Sequence, residues 1–227
     1  MRKTELFFDS IADDFLDRMN QFDQETRVDW FDKALSTQPV THSTMLDVGA
    51  GLGHFSVVAE RHGASVVPID IAPRLVDRLR ERFPAATVAS ATCLPFETGT
   101  VDFVVSSECI EHTSDPRQAV REMLRVLRPG GVLFLTTPNL LWRWSVGLAE
   151  LLGIRRFEGI ENWLSRRALR RTIVENSGEI IGAAGLYILP FQLTPLLPVI
   201  RLINDRGQWL KPLMINQCWI ARKRLSA

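Results

Sequence analysis

Apolar residues at helical spacing predict a helical segment at the start of the chain. Within residues 5–36 they recur three or four positions apart, beginning with Phe7, Ile11 and Phe15, which places them on one face of an α-helix. We therefore expect residues 1–40 to form a helical cap at the N-terminus.

Short apolar runs and amphipathic segments alternate along the middle of the chain. The predicted strands are residues 45–48, 65–69, 87–89, 101–105 and 132–136. The predicted helices between them are residues 54–62, 73–83 and 116–127, and a helix at 165–176 and strands at 180–188 and 217–220 follow later. Uninterrupted apolar strands that alternate with helices indicate an α/β fold whose parallel sheet has helices on both faces. Ligands bind such sheets at the carboxyl ends of the strands.

The length and charge of the chain fit one folded domain without a nucleic-acid partner. Its 227 residues suffice for a single α/β domain. The 27 basic residues nearly balance the 26 acidic ones, for a net charge of +1, whereas a polyanionic partner favours a basic excess. The sequence contains no run of about 18 apolar residues, so we expect no membrane-spanning helix. Three widely spaced cysteines indicate a reduced compartment, so we expect a cytoplasmic protein.

The first predicted strand leads into a glycine turn. Gly49, Ala50, Gly51 and Gly53 follow the strand, and glycine permits a positive φ and places no Cβ between the backbone and a ligand. The next helix offers N–H groups and a partial positive charge to an anion. About 20 residues further on, Asp70 ends the second strand, where a carboxylate accepts hydrogen bonds from ribose hydroxyls. This combination predicts a site for an adenosine-containing cofactor, and a purely structural turn is the alternative.

The spacing of the glycines argues against a nicotinamide dinucleotide. The dinucleotide fingerprint has its third glycine three positions after the second. His54 occupies that position here, and the third glycine comes one residue earlier, at Gly53. A nicotinamide-dependent oxidoreductase therefore fits the sequence poorly.

Four segments, in order, resemble the motifs of the class I S-adenosylmethionine-dependent methyltransferases. They are LDVGAGLGHF, VVPIDIAP, LPFETGTVDFVVSSECIEHTSDP and LRVLRPGGVLFLTTPN. Their arrangement resembles most the small-molecule branch that includes the ubiquinone-pathway O-methyltransferases. The resemblance implies a single domain over residues 1–227 with a Rossmann-like, mostly parallel, seven-stranded sheet, and S-adenosyl-L-methionine as the cofactor.

The resemblance also implies which residues bind the cofactor. They are Asp47, Gly49, Ala50, Gly51, Gly53, Asp70, Ile71, Ala91, Thr92 and Ser107. Asp47 would face the amino end of the cofactor, the glycine turn its methionine part and Asp70 its ribose. Ile71, Ala91 and Thr92 would surround the adenine, and Ser107 would form the floor of the pocket.

One residue departs from the family pattern at the adenine. Ser90 stands where relatives commonly have an aspartate that meets the adenine amino group. A serine hydroxyl is uncharged and shorter, so it predicts a weaker or water-mediated contact. A role as an ordinary loop residue is the alternative.

Methyl transfer to a hydroxyl requires a base that takes up the hydroxyl proton. His112 is the candidate, because histidine titrates near neutral pH and this residue follows the fourth strand at the edge where the acceptor is expected. A structural role of His112 is the alternative. O-methylation is the leading hypothesis, and N- or C-methylation and a catalytically silent partner protein remain open.

Glu108, Glu111 and His112 form a candidate metal group. Two carboxylates and an imidazole within five residues converge on a divalent cation if the segment turns. The spacing resembles the metal-binding segment of some ubiquinone-pathway and RNA-end O-methyltransferases, in which Mg²⁺ would hold and acidify a catechol-type hydroxyl. The alternative is that Glu108 faces the cofactor and Glu111 is a capping or solvated residue.

An apolar stretch with two tryptophans follows the fifth strand. Residues 140–152 contain Trp142 and Trp144 among leucines and arginines, a composition typical of membrane interfaces or lipophilic pockets. We expect residues 140–165 to be an insertion over the active site, with a second apolar segment at 191–203. The expected partners are thus a lipophilic acceptor and, peripherally, a membrane. A core helix is the alternative.

Overall fold

The structure, a computed structural model, describes residues 2–13, 20–151, 160–188, 202 and 207–225. The predicted apolar segment at 191–203 lies outside the described residues, apart from residue 202, and so does part of the insertion predicted at 140–165.

Strands and helices alternate in the order that the hydrophobic pattern predicts. The strands are β1 Thr44–Val48, β2 Ser65–Asp70, β3 Thr87–Val88, β4 Val101–Ser107, β5 Leu127–Pro138, β6 Gly178–Leu186 and β7 Asn216–Lys223. The helices are α1 Arg2–Ser10, α2 Gln21–Leu35, α3 His54–Arg61, α4 Pro73–Arg80, α5 Pro116–Val126, α6 Arg143–Leu151 and α7 Arg166–Glu175. Short 3₁₀ helices cover Ile110–His112, Leu140–Trp142 and Gln208–Leu213.

The strands form one seven-stranded sheet in the order β3-β2-β1-β4-β5-β7-β6. Neighbours from β3 to β5 run parallel, and β7 runs antiparallel to both β5 and β6. The predicted mostly parallel seven-stranded sheet is therefore confirmed. Because β1, β2 and β4 run side by side, the segments that follow them meet at one edge of the sheet.

Alternate residues of the strands build two cores on opposite faces of the sheet. In β4, Val104 packs in a core with Met123 and Leu169, whereas Phe103 packs in another with Phe31. This alternation is the two-residue period of a strand that is buried on both sides. Helices therefore cover both faces, as the sequence predicts.

The helical segment predicted over residues 5–36 contains two separate helices among the described residues. Helix α1 ends at Ser10, and α2 begins after Asn20. The Asn20 side chain accepts a hydrogen bond from the Asp23 N–H at 3.0 Å. An N-terminal cap of this kind starts a new helix, because it satisfies an amide that has no partner within the helix.

Phe31 anchors α2 to the sheet. Its ring is fully buried and meets the ring of Phe55 on α3 at 5.5 Å and the ring of Phe134 on β5 at 5.3 Å, both edge to face. Edge-to-face aromatic pairs add to the free energy of area burial. The N-terminal part of the chain is therefore joined to the main core.

We expect Phe31→Ala to lower the free energy of unfolding by about 3–5 kcal/mol, because it removes a buried ring and leaves a cavity between α2 and the sheet. Urea denaturation followed by circular dichroism measures the change. The control is Leu6→Ala at an exposed site on α1, which should change stability by less than about 0.5 kcal/mol. Equal effects of the two substitutions would contradict this packing.

Candidate active site

The glycine turn after β1 has the backbone conformation that its sequence predicts. Gly49, Gly51 and Gly53 all have positive φ, at +77°, +54° and +77°. The N–H groups of Gly49 and Ala50 donate to the Ile69 carbonyl at 2.8 and 2.9 Å, which ties the turn to the end of β2. A Cβ at position 49 would lie 2.4 Å from the Cys109 sulfur, so a larger residue cannot stand there without displacing the chain.

Asp70 holds two loops of the sheet edge together. One carboxylate oxygen accepts the Gly51 N–H at 2.9 Å and the other accepts the Ala72 N–H at 3.0 Å. Burial raises the pKa of Asp70, and these backbone hydrogen bonds oppose the rise. The acidic residue predicted at the end of β2 thus also shapes the turn after β1.

A cavity of about 510 Å³ opens beside these loops. The predicted cofactor residues that line it are Gly49, Ala50, Gly51, Asp70, Ile71, Ala91, Thr92 and Ser107. Ser90 lines it too, and its hydroxyl lies 2.9 Å from that of Thr92. The structure therefore brings together residues from the ends of β1, β2, β3 and β4.

Two predicted cofactor residues, Asp47 and Gly53, do not line this cavity. Asp47 is buried beneath the turn, where its carboxylate accepts the Ser56 hydroxyl at 2.6 Å. Burial raises the pKa of Asp47 to about 7. Gly53 precedes α3, and a Cβ there would lie 2.8 Å from the Leu79 side chain. Both residues shape the turn from within the protein.

Glu108 and Glu111 turn toward neighbouring threonines. Glu108 accepts a hydrogen bond from Thr136 and Glu111 one from Thr137, each at 3.0 Å. Burial raises the pKa of both carboxyls, and the charge of Glu111 raises that of Glu108 further. Glu108 has a φ of +49°, a left-handed conformation that non-glycine residues seldom adopt and that concentrates at functional sites.

The predicted metal group is not supported. Glu108, Glu111 and His112 each have a different protein partner, and no three His, Cys, Asp or Glu side chains of the described residues converge into a metal site.

His112 stands at the edge of the cavity, at the end of a 3₁₀ turn that follows β4. Its Nδ1 lies 3.0 Å from the carbonyl oxygen of Ile160, and its ring meets the ring of Phe8 edge to face at 5.3 Å. Two contacts from distant parts of the chain thus fix the plane of the imidazole.

Comparison with known proteins agrees with this geometry. Residues 46–135 match the family model of a methyltransferase domain. The biotin biosynthesis bifunctional protein of Cellvibrio japonicus is 31% identical over 152 residues, which are 65% of this chain and 28% of that protein. An uncharacterized methyltransferase of Mycobacterium sp. (strain KMS) is 42% identical over 99 residues, 41% of this chain and 38% of that protein.

A solved structure shares the fold over nearly the whole chain. Magnesium protoporphyrin IX methyltransferase from Synechocystis PCC 6803, with bound S-adenosylhomocysteine, aligns with a TM-score of 0.68 over 96% of this chain and 97% of that one, at 14% identity. Residues 46–135 are therefore a methyltransferase domain, and the fold is that of the class I S-adenosylmethionine-dependent methyltransferases. The chain spans 28% and 38% of the length of the two curated relatives that it matches.

One wall of the methyltransferase cavity comes from α1, which the sequence does not indicate. Phe7, Phe8 and Ile11 line the cavity, whereas none of the cavity-lining residues lies in the described part of 140–151. Of the predicted insertion at 140–165, Ile160 contacts the site through His112. The remainder of that prediction stays untested.

A buried arginine is the second feature that sequence reasoning missed. Arg27 lines the cavity, pairs with Asp23 at 2.9 Å and donates to the Ser107 hydroxyl at 2.8 Å. Since arginine only donates, Ser107 accepts this bond and can donate to Thr136, which donates to Glu108. A hydrogen-bonded chain thus joins Arg27 to Glu108 across the methyltransferase site.

A signal for Arg27 does exist in the sequence. Gln24 and Arg27 occupy the same face of α2 as Phe31 and Leu35, three or four residues apart, and all four are buried. A charged residue on an apolar helical face is costly to bury without a partner. Its presence therefore indicates a polar site below the helix.

We expect Asp47→Asn to remove one contribution to the pH dependence of stability. From about pH 4 to 7 the unfolded chain has lost the Asp47 proton while the folded protein retains it, so the Asp47 contribution to the unfolding free energy falls as the pH rises. The variant lacks this contribution, which approaches about 1.4 kcal/mol per pH unit in the middle of the window.

Denaturant titrations across that pH range measure the effect. Asp29→Asn, at an exposed position of α2, is the matched control and should keep the wild-type slope. If Asp47→Asn also keeps the wild-type slope, Asp47 does not hold a proton in the folded protein.

Proposed function

We propose that this chain transfers the methyl group of S-adenosyl-L-methionine to a hydroxyl oxygen of a lipophilic or aromatic small molecule, with His112 as the general base. The hydrogen bond of His112 carries the proposal. A carbonyl oxygen only accepts, so the Nδ1 that faces the Ile160 carbonyl holds the proton and Nε2 is the basic nitrogen. Nε2 thus has the lone pair that proton uptake requires.

The residues around the cavity fit the cofactor of the family. When bound, S-adenosyl-L-methionine supplies a methyl carbon on a sulfonium sulfur. The acceptor oxygen would bond to this carbon while the bond from carbon to sulfur breaks and S-adenosylhomocysteine leaves. The glycine turn lines the cavity with backbone, and the missing Cβ of Gly49 lets Cys109 pack directly against it. Asp70 would accept a ribose hydroxyl, since a carboxylate has about four lone-pair sites and the backbone hydrogen bonds leave at least one of them. Ile71, Ala91 and Thr92 would enclose the adenine.

Arg27 and His54 would receive the cofactor's amino-acid end. Both line the cavity beside the glycine turn, and Arg27 is 5% exposed. His54 Nε2 is buried without a hydrogen-bond partner among the described residues. A carboxylate there would meet the charge of Arg27 and the N-terminus of α3.

The lining of the outer cavity favours an apolar acceptor. Phe7 and Phe8 of α1, and Ile11 directly after it, line the cavity, and the Phe8 ring touches the imidazole of His112. Biotin biosynthesis and magnesium protoporphyrin IX, in the names of two similar proteins, both concern small molecules. The near-neutral charge of the chain gives no reason to propose a nucleic-acid substrate.

The direct test incubates the protein with a lipid extract and S-adenosyl-L-methionine that carries a deuterated methyl group. We expect a product that gains one labelled methyl on oxygen, located by fragmentation in the mass spectrometer. A label on nitrogen or carbon would contradict O-methylation. No transfer by a protein that binds S-adenosylhomocysteine would favour a catalytically silent role.

We expect Asp70→Ala to weaken S-adenosylhomocysteine binding by about 1.5–3 kcal/mol, because hydrogen bonds to a charged group are lost. Isothermal titration calorimetry measures this change as a roughly 10- to 150-fold rise in Kd. Asp70→Asn keeps the volume and should also weaken binding, whereas Asp29→Asn should not. An unchanged Kd in a folded Asp70 variant would remove Asp70 from the site.

We expect His112→Ala to lower kcat by roughly 10²- to 10⁴-fold, the usual contribution of a general base, and to abolish the acid limb of the pH–rate profile. Binding of S-adenosylhomocysteine should persist. His62→Ala is the control, because His62 pairs with Asp32 and does not line the cavity. If His112→Ala keeps the wild-type kcat and pH profile, His112 is not the base.

A further inference from the structure

A group of large apolar side chains is exposed beside the carboxyl end of β5. It consists of Leu140, Leu141, Trp144, Trp209 and Leu213, and we call it the tryptophan surface. Trp144 is 63% exposed and Trp209 is 78% exposed. Clusters of exposed apolar residues on a folded protein mark interaction sites, whereas isolated ones do not.

Two distant segments of the chain are fastened together to form this surface. Trp142 donates its indole N–H to the Leu213 carbonyl at 2.8 Å, and its ring stacks on that of Trp144 at 6.0 Å. The Asn139 side chain donates to the carbonyls of Pro212 and Met214 at 2.9 and 3.0 Å. The surface is therefore built from two segments that hydrogen bonds hold together, whereas the sequence suggests the face of a single helix.

Arginines border the tryptophan surface on one side. A shallow groove places Leu140 and Arg143 next to Arg117 and Arg121. The groove also holds two acidic residues: Glu161 is paired with Arg143 and its side chain is only 8% exposed, and the Asp115 carboxylate accepts the N–H groups of Arg117 and Gln118 at the start of α5. Three arginines against these two carboxylates leave the groove with an excess of positive charge.

The surface also adjoins the candidate active site. Ser114 lines both the arginine groove and the cofactor cavity. Residues on the two sides of Ser114 thus form one continuous region, with the cavity, the arginines and the tryptophans in succession.

We propose that the tryptophan surface docks this protein onto a bilayer that contains anionic lipids. Indole rings combine an apolar body with a polar N–H and are favoured at membrane interfaces, and arginines attract anionic headgroups. The mode is peripheral, since no helix among the described residues is long and apolar enough to cross a bilayer. This proposal rests on the proposed function in one respect: the docked protein would take up its lipophilic acceptor from the bilayer.

The test is co-sedimentation of the 227-residue chain with vesicles, without cofactor or acceptor. Vesicles of phosphatidylcholine alone are compared with vesicles that also contain phosphatidylglycerol. We expect binding to the mixed vesicles that decreases with added salt. Trp144→Ser combined with Trp209→Ser should weaken it at least tenfold, and Arg117→Gln combined with Arg121→Gln should weaken it on the mixed vesicles only.

A matched pair of leucines serves as the control. Leu213 is 50% exposed in the tryptophan surface, and Leu225 is 76% exposed beside Gly130 near the start of β5, away from that surface. Leu213→Ser should weaken vesicle binding, and Leu225→Ser should not. Circular dichroism and thermal melting show that each variant is folded.

Three results would overturn the proposal. They are no binding of the wild-type protein to either vesicle, equal effects of Leu213→Ser and Leu225→Ser, and a wild-type dimer that the tryptophan substitutions convert to monomer. The last result would mean that a second copy covers the surface. Because binding is measured without turnover, failure of methyl transfer and failure of docking are distinguishable.

Discussion

The carboxylate of Asp70 accepts backbone N–H groups from the two loops that follow β1 and β2. Its burial is costly, as the raised pKa shows, and the backbone hydrogen bonds offset part of that cost. The glycine turn depends on this carboxylate, because the buried N–H of Gly51 needs a hydrogen-bond acceptor if the turn is to keep its shape. Residues that sequence reasoning assigns to ligand binding alone therefore also maintain the shape of the site before a ligand arrives.

The sheet and the glycine turn could be predicted because their signals are local. An apolar run such as that of β1 and the glycines at 49, 51 and 53 determine the backbone within a few residues, whatever packs around them. Asp70 could be placed because the topology puts the ends of neighbouring parallel strands together. The start of β5 could not be predicted in this way: the strand begins at Leu127, where the sequence has a proline and two glycines and no apolar run.

The wall of the cavity could not be predicted, because it depends on long-range packing. Helix α1 lies over the site through contacts such as Phe8 with His112, more than a hundred positions apart in the sequence. Arg27 reaches Ser107 in the same way. The periodicity of apolar residues indicates which face of a helix is buried, but it does not indicate which element packs against that face. The metal group failed for a related reason, since closeness in sequence does not make side chains converge.

The antiparallel direction of β7 determines at which edge of the sheet the segment before β7 lies. Because β7 is antiparallel to β5, its first residue, Asn216, pairs with the last residue of β5, Pro138. The 3₁₀ turn Gln208–Leu213 therefore arrives at the same edge as the cofactor loops. A parallel strand in this position would have delivered that turn to the opposite end of the sheet. One antiparallel strand thus brings a segment from the end of the chain to the edge of the sheet where the glycine turn and Asp70 lie.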